Sequence, residues 1–130
     1  MRVLAFLLMT LSLCGCERIV YGKYSDRTEA VFRAVLAGNK KELQRNTSNT
    51  EVVRYLELVA SRQKDLLTAA ANDLQVSTAE RRGEQLLTIM VFRDNGIRET
   101  VKVVFDMSHS TLTVSYVEFT RLELEASGTP

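Results

Sequence analysis

Residues 86–107, LLTIMVFRDNGIRETVKVVFDM, decide the fold of this chain. The first part, LLTIMVF, is apolar on both faces, which is typical of a central or doubly covered strand. Asp94-Asn95-Gly96 then predicts a tight hairpin, because Asn-Gly suits the positive φ angles of a type I′ turn. The apolar side chains of the second strand share one face: Val101, Val103, Phe105 and Met107. The stretch therefore predicts an antiparallel β-hairpin.

Shorter strand patterns flank this hairpin on both sides. Residues 74–78 (LQVST) alternate and predict a short edge strand, and residues 80–83 (ERRG) predict a turn. After residues 108–110, Leu112, Val114 and Tyr116 alternate, and the apolar parity then shifts. The shifted positions are Val117 and Phe119. A shift of one residue indicates a β-bulge, so we expect a bent last strand and a concave pocket.

Helical patterns precede the strands. Asp26 and Glu29 have the spacing of a capping box, and Gly38 suits a helix C-terminus. Asn39 predicts a second, brief helix that extends through Arg45. Apolar residues between positions 52 and 70 then predict one long amphipathic helix, interrupted only at residues 63–64. The order predicts an α+β fold, with N-terminal helices packed on a curved antiparallel sheet of three to four strands.

The N-terminus has the pattern of a signal peptide. Arg2 supplies a positive charge, and residues 3–13 (VLAFLLMTLSL) form an apolar run. This run is too short to cross a bilayer as a helix, and a polar segment follows it. We therefore expect residues 1–15 to be removed from the mature protein.

The end of this leader, Leu13-Cys14-Gly15-Cys16, resembles the lipobox of bacterial lipoproteins. Cys14 is an unusual residue for the second lipobox position, which prefers Ala, Ser or Thr. The resemblance implies cleavage between Gly15 and Cys16. It further implies a diacylglycerol thioether on Cys16, with an N-acyl chain such as palmitate. Since Glu17 rather than Asp follows, the resemblance favours the outer membrane, facing the periplasm, if the organism is Gram-negative.

We expect four segments in the chain. Residues 1–15 are the signal peptide, and residues 16–25 are a lipidated tether in which Gly22 breaks any helix. Residues 26–125 are a single α+β domain, and residues 126–130 are a flexible tail. Only Arg2 of the 17 Lys and Arg lies in the leader, so the mature chain is formally neutral against 16 Asp and Glu. This balance argues against a nucleic-acid partner.

Residues 26–121 resemble small lipoproteins with a nuclear-transport-factor-2-like (cystatin-like) domain. A first helix such as AVFRAVLAGNKKEL, a second helix and a curved sheet carry this resemblance. It implies a non-catalytic binding or assembly module, with a small pocket enzyme of isomerase or hydrolase type as the alternative. The strands also resemble the small lipoprotein of the outer-membrane β-barrel assembly machinery, but the Gly-Met-Thr and Gly-x-Pro stretches of that family are absent here.

The sequence predicts no catalytic residue, cofactor or metal site. His109 is the only histidine, and a lone turn histidine is typically solvated. Asp106 with Tyr116 is a conceivable acid/base pair, for which surface residues are the simpler interpretation. We therefore expect a non-enzymatic envelope lipoprotein that binds a protein partner or a small ligand, or that supports envelope assembly. The sheet residues that we expect to form a second apolar face are Ile89, Val91, Val104 and Val117.

We expect Cys16→Ser to abolish acylation and membrane retention, because the acyl chains would have no thioether attachment. Fractionation of cells and the mass of the purified protein would measure both effects. Cys14→Ser is the matched control and should leave retention unchanged, because Cys14 leaves with the leader. Continued sedimentation of Cys16→Ser with the membrane would contradict the lipobox interpretation.

Overall fold

The computed structural model describes residues 21–108 and 111–121. Four helices precede a four-stranded antiparallel sheet in this part of the chain, which confirms the predicted α+β class. The helices are α1 (described over residues 21–37), α2 (Lys40–Asn46), α3 (Thr50–Arg62) and α4 (Lys64–Asn72). The strands are β1 (Gln75–Arg82), β2 (Gln85–Asp94), β3 (Ile97–Asp106) and β4 (Thr113–Phe119), and they lie in sequence order across the sheet.

The helix ends follow the local sequence signals. Asn39 Oδ1 accepts a hydrogen bond from the Glu42 N–H at 3.3 Å, and Asn49 Oδ1 accepts one from the Glu51 N–H at 3.0 Å. These bonds satisfy backbone donors that have no partner inside a helix. Gly38 follows α1 with a φ of 70°, where glycine avoids the strain of a Cβ atom. The predicted cap at Asn39 and the predicted helix end at Gly38 are confirmed.

The described part of α1 corrects two expectations, namely that Gly22 breaks any helix and that a helix starts at the capping box of Asp26 and Glu29. Residues 21–25 are helical, although we had placed them in the tether of residues 16–25. Tyr24 is buried there, with its ring centroid 5.2 Å from that of Phe105, and Ser25 Oγ donates to the Gly22 carbonyl at 3.0 Å. Glycine costs a helix about 1 kcal/mol, and burial of an aromatic side chain outweighs that cost.

The expectation of one long helix is wrong, because Gln63 separates α3 from α4. Its backbone leaves the helical region, with φ −136° and ψ 54°. The Gln63 N–H still donates to the Val59 carbonyl at 2.6 Å, and the Gln63 carbonyl accepts from the Leu67 N–H at 3.2 Å. The break lets α3 pack on β4 while α4 packs on β2.

Two-residue turns connect the first three strands. Asn95 (φ 52°) and Gly96 (φ 80°) both have positive φ angles, which confirms the predicted hairpin. The first hairpin turns at Gly83 (φ 60°) and Glu84, and β1 therefore continues to Arg82. The predicted edge strand is confirmed as β1, but the predicted turn at residues 80–83 is wrong, because pairing with β2 keeps residues 80–82 extended.

Aromatic rings form the centre of the core. Phe119 is fully buried at the end of β4. Its ring centroid lies 5.6 Å from Phe32 of α1, 5.9 Å from Phe92 of β2 and 6.5 Å from Tyr55 of α3. Aromatic pairs at such distances contribute beyond the area that they bury. Phe119 therefore joins two helices and two strands in one cluster.

Partly buried polar contacts set the position of α1. Arg27 donates to Asn46 Oδ1, and Asn46 Nδ2 donates to the Glu42 carbonyl at 2.8 Å, which ties α1 to α2. Glu29 accepts a hydrogen bond from the Leu74 N–H at 3.3 Å, just before β1 begins. Because buried polar groups are costly without partners, these contacts specify one arrangement of α1 over the sheet.

We expect Phe119→Ala to lower the free energy of unfolding by about 3–5 kcal/mol, because it removes a buried ring and leaves a cavity. Urea unfolding followed by circular dichroism would measure the change. Ile97→Ala is the control, since Ile97 is 60% exposed at a hairpin and should change stability by less than about 0.5 kcal/mol. Equal losses for the two variants would contradict this description of the core.

Candidate binding surface

The sheet has one face packed on the helices and one face that no described helix covers. Along β2 the side chains of Leu86, Thr88, Met90 and Phe92 alternate toward the helices and are all buried. The side chains between them point to the opposite face, because side chains of a strand alternate. We call that opposite side the open face.

Apolar side chains occupy the middle of the open face. In register across three strands, Leu87 of β2 pairs with Val104 of β3, which pairs with Tyr116 of β4. Ile89 is 37% exposed and Tyr116 is 42% exposed, which is high for residues in the middle of a strand. We define the open-face cluster by its members: Leu87, Ile89, Val91, Val104 and Tyr116.

Charged groups lie against this cluster. Lys102 pairs with Ile89 on one side and with Glu118 on the other. Its Nζ atom lies 5.8 Å from the ring centroid of Tyr116, within the range of a cation–π contact. The Tyr116 hydroxyl donates to the Glu118 carboxylate. These contacts hold the Tyr116 ring between a cation and an anion at the edge of the apolar cluster.

A β-bulge in β4 places Tyr116 on the open face. Val104 pairs with Tyr116, but the next residue of β3 pairs with Val114, so Ser115 is an extra residue. Ser115 Oγ donates to the Val104 carbonyl at 3.1 Å. Val114 and Val117 consequently both point into the core, although they are an odd number of positions apart. The structure confirms the bulge that the parity shift predicted.

Two shallow grooves run along the open face, with volumes of about 420 and 240 Å³. They share Leu87 and Lys102. The larger groove extends to Asn49 before α3, and the smaller one extends to Glu80 on β1. The surface therefore offers an extended, partly apolar area with charged groups at both sides.

The structure corrects one member of the predicted apolar face. Ile89, Val91 and Val104 lie on the open face as predicted, whereas Val117 pairs with Val103 on the helix side and is 4% exposed. The strand parity beyond the bulge differs from the parity before it, which explains the error.

The other residues singled out in the sequence have separate positions. Gly15, Cys16 and His109 lie outside the described residues. Asp106 pairs with Thr113 and accepts hydrogen bonds from Ser108, whereas Tyr116 pairs with Val104. Asp106 and Tyr116 are thus not cross-strand partners.

The described residues contain neither a metal-binding cluster nor a membrane-spanning helix. Within residues 21–108 and 111–121, no group of three or more His, Cys, Asp or Glu side chains could hold a metal ion. None of the described helices is long and apolar enough to cross a bilayer. Comparisons with protein-family models, curated proteins and solved structures found no match for this chain. Both family resemblances of the domain stay predictions.

The sequence did not place Leu87 or Tyr116 on the second apolar face. The signal for Leu87 was present, because an apolar run on both faces of a strand requires a second apolar surface. The position of Tyr116 depends on where the bulge lies, and the parity shift locates the bulge only to within a residue or two.

We expect deletion of Ser115 to leave Val114, Val117 and Phe119 in the core, because Val114 and Tyr116 would become neighbours and the strand would alternate regularly. The free energy of unfolding should fall by less than about 1.5 kcal/mol, since the deletion removes one hydrogen bond and the local bend. Deletion of Glu118 is the matched control, because it would turn the Phe119 side chain to the open face and should cost about 3 kcal/mol or more. Denaturant unfolding of both variants would measure the difference, and similar losses would contradict the position of the bulge.

Proposed function

We propose that this chain is a lipid-anchored lipoprotein of the bacterial envelope whose α+β domain binds a protein partner through the open face of its sheet. The observation that carries the proposal is the open-face cluster, an apolar area across three adjacent strands. The domain acts as a binding or assembly module in this proposal.

The composition of the open face supports a protein partner. Single exposed apolar residues are ordinary on protein surfaces, but contiguous ones mark interaction sites. Ile89 and Tyr116 are exposed, and Leu87 and Val91 are partly exposed around the more buried Val104. An apolar centre with charged groups at its sides is the usual anatomy of an interface between proteins. Tyr116 belongs to a residue type that is enriched among the residues contributing most to binding.

The predicted lipid anchor restricts where the domain can meet its partner. Tyr21, which is already helical, is only five positions after Cys16. An extended chain of that length spans at most about 18 Å. If Cys16 carries acyl chains, residues 21–25 of α1 lie close to the membrane surface. The partner is then a membrane protein or a protein held near the same membrane.

Site-specific photocrosslinking in intact envelopes tests the proposal. A photoreactive residue at Leu87 and another at Tyr116 should each form an adduct with the same partner, identified by mass. Leu58 on α3 is the matched control position, because it is an apolar residue with 47% exposure on a helix. Adducts of equal yield at Leu58 would contradict binding through the open face, as would no adduct at either sheet position.

A charge substitution then measures how much the open-face cluster contributes to binding of the partner. Ile89→Glu should reduce the adduct at Tyr116 by roughly tenfold or more, because loss of a central interface contact commonly costs over 1.4 kcal/mol. Leu58→Glu should leave the adduct unchanged. Circular dichroism of both purified variants verifies that the fold is retained.

A further inference from the structure

The two edges of the sheet differ in the hydrogen-bond partners of their outward backbone N–H and C=O groups. At the β4 edge, the Ser48 N–H donates to the Val114 carbonyl at 3.0 Å, and the Phe119 N–H donates to the Tyr55 hydroxyl at 2.8 Å. The loop before α3 and a side chain of α3 therefore close this edge. β1 is the other edge, and among residues 21–108 and 111–121 it has a strand neighbour only on the β2 side. Unpaired edges are templates for pairing with another strand.

A groove of about 470 Å³ follows the open edge of β1. Residues 74–79 form one side of it, and Tyr21, Gly22 and Ser25 of α1 form the other. A Cβ atom placed on Gly22 would meet no heavy atom within 4 Å, so the space beside the helix is open. Residues 21, 22 and 25 of α1 thus line the groove beside β1, and an added strand would lie in this groove.

Alternate residues of β1 direct their backbone N–H and C=O groups away from β2. Arg82 and Gln85 flank the two-residue turn, and such flanking residues form a hydrogen-bonded pair. Alternate residues back along the strand, Glu80 and Thr78, therefore bond to β2. The residues between them, among them Ala79, direct N–H and C=O away from the sheet. An incoming antiparallel strand would bond to Ala79.

Charges on β1 are confined to one end. Residues 75–79 (QVSTA) are uncharged, and Glu80, Arg81 and Arg82 follow. Edge charges discourage pairing with strands of like charge, and the irregularity between Val76 and Thr78 shortens the regular edge. In an antiparallel pair of two identical strands, however, the charged end of each strand faces the uncharged end of the other.

Symmetry restricts the possible registers further. A two-fold axis perpendicular to a sheet requires one residue to lie opposite its own copy. Centring on Glu80, Arg81 or Arg82 would set like charges directly opposite, which is destabilising. Centring on Ala79 sets Thr78 opposite Glu80 and avoids every like-charge pair. It also lets the two Ala79 residues exchange both backbone hydrogen bonds.

We propose that β1 pairs antiparallel with β1 of a second copy of this chain, with Ala79 opposite Ala79. The two four-stranded sheets then form one continuous sheet. The axis is perpendicular to that sheet, so both helical layers, including residues 21–25 of each copy, lie on the same side. Two anchors on Cys16 would reach one membrane in this arrangement, although the pairing does not require the anchor. The open face stays free, so the dimer is independent of the proposed partner.

Crosslinking of the full chain in membranes tests the contact. Ala79→Cys with a short bis-maleimide should give a covalent dimer of twice the monomer mass. Ile97→Cys is the control, because Ile97 is exposed at the other hairpin. The parent chain measures any background from Cys14 and Cys16. A dimer yield at Ala79→Cys no greater than at Ile97→Cys would overturn the proposal, and so would an adduct with a different protein.

Opposite charges at Thr78 test the register. Thr78 is exposed, and in this register it faces Glu80 of the second copy twice by symmetry. Thr78→Glu should weaken the dimer and Thr78→Lys should strengthen it, each by roughly 2- to 30-fold, given the usual energies of cross-strand charge pairs. Sedimentation of the purified full chain in detergent would measure the dissociation constants. Shifts in the same direction, or no shift, would overturn this register.

Discussion

The bulge in β4 is the constraint on which the rest of the domain depends. β4 contains one residue more than regular pairing with β3 allows, and the bulge at Ser115 accommodates it. Val114, Val117 and Phe119 can therefore all point into the core from one strand, while Tyr116 points outward. Phe119 then contacts rings from α1, α3 and β2, and the Phe119 N–H reaches the Tyr55 hydroxyl at the edge. One bulge thus completes the core, helps to close an edge and forms part of the open face.

The helices and the loop before α3 cover only one face and one edge of the sheet. α3 and α4 cover one face, and the loop before α3 closes the β4 edge. The break at Gln63 makes this possible, because it directs the two helices to different strands. The opposite face and the β1 edge have no such cover among the described residues. The two surfaces have different chemistry, since the face presents apolar side chains and the edge presents backbone groups. They therefore suit different occupants.

The sequence predicted those parts of the candidate surface that depend on local interactions, and it missed parts that depend on pairing between strands. Three of the four residues expected on the second apolar face lie there, because alternation within β2 and β3 is a local property. Val117 was misplaced, since its orientation depends on the register of β4 against β3. The β1 edge was also underestimated, because pairing with β2 extends β1 through the charged residues 80–82.

The sequence by itself determined the features whose energies act within a few residues. The Asn95-Gly96 turn, the caps at Asn39 and Asn49 and the helix end at Gly38 are of this kind. Tertiary structure decided whether Gly22 is helical and which way Tyr116 points. In each of those cases the deciding contact, such as Tyr24 with Phe105, joins residues that are distant in the chain. Burial between distant segments outweighs local preferences of about 1 kcal/mol.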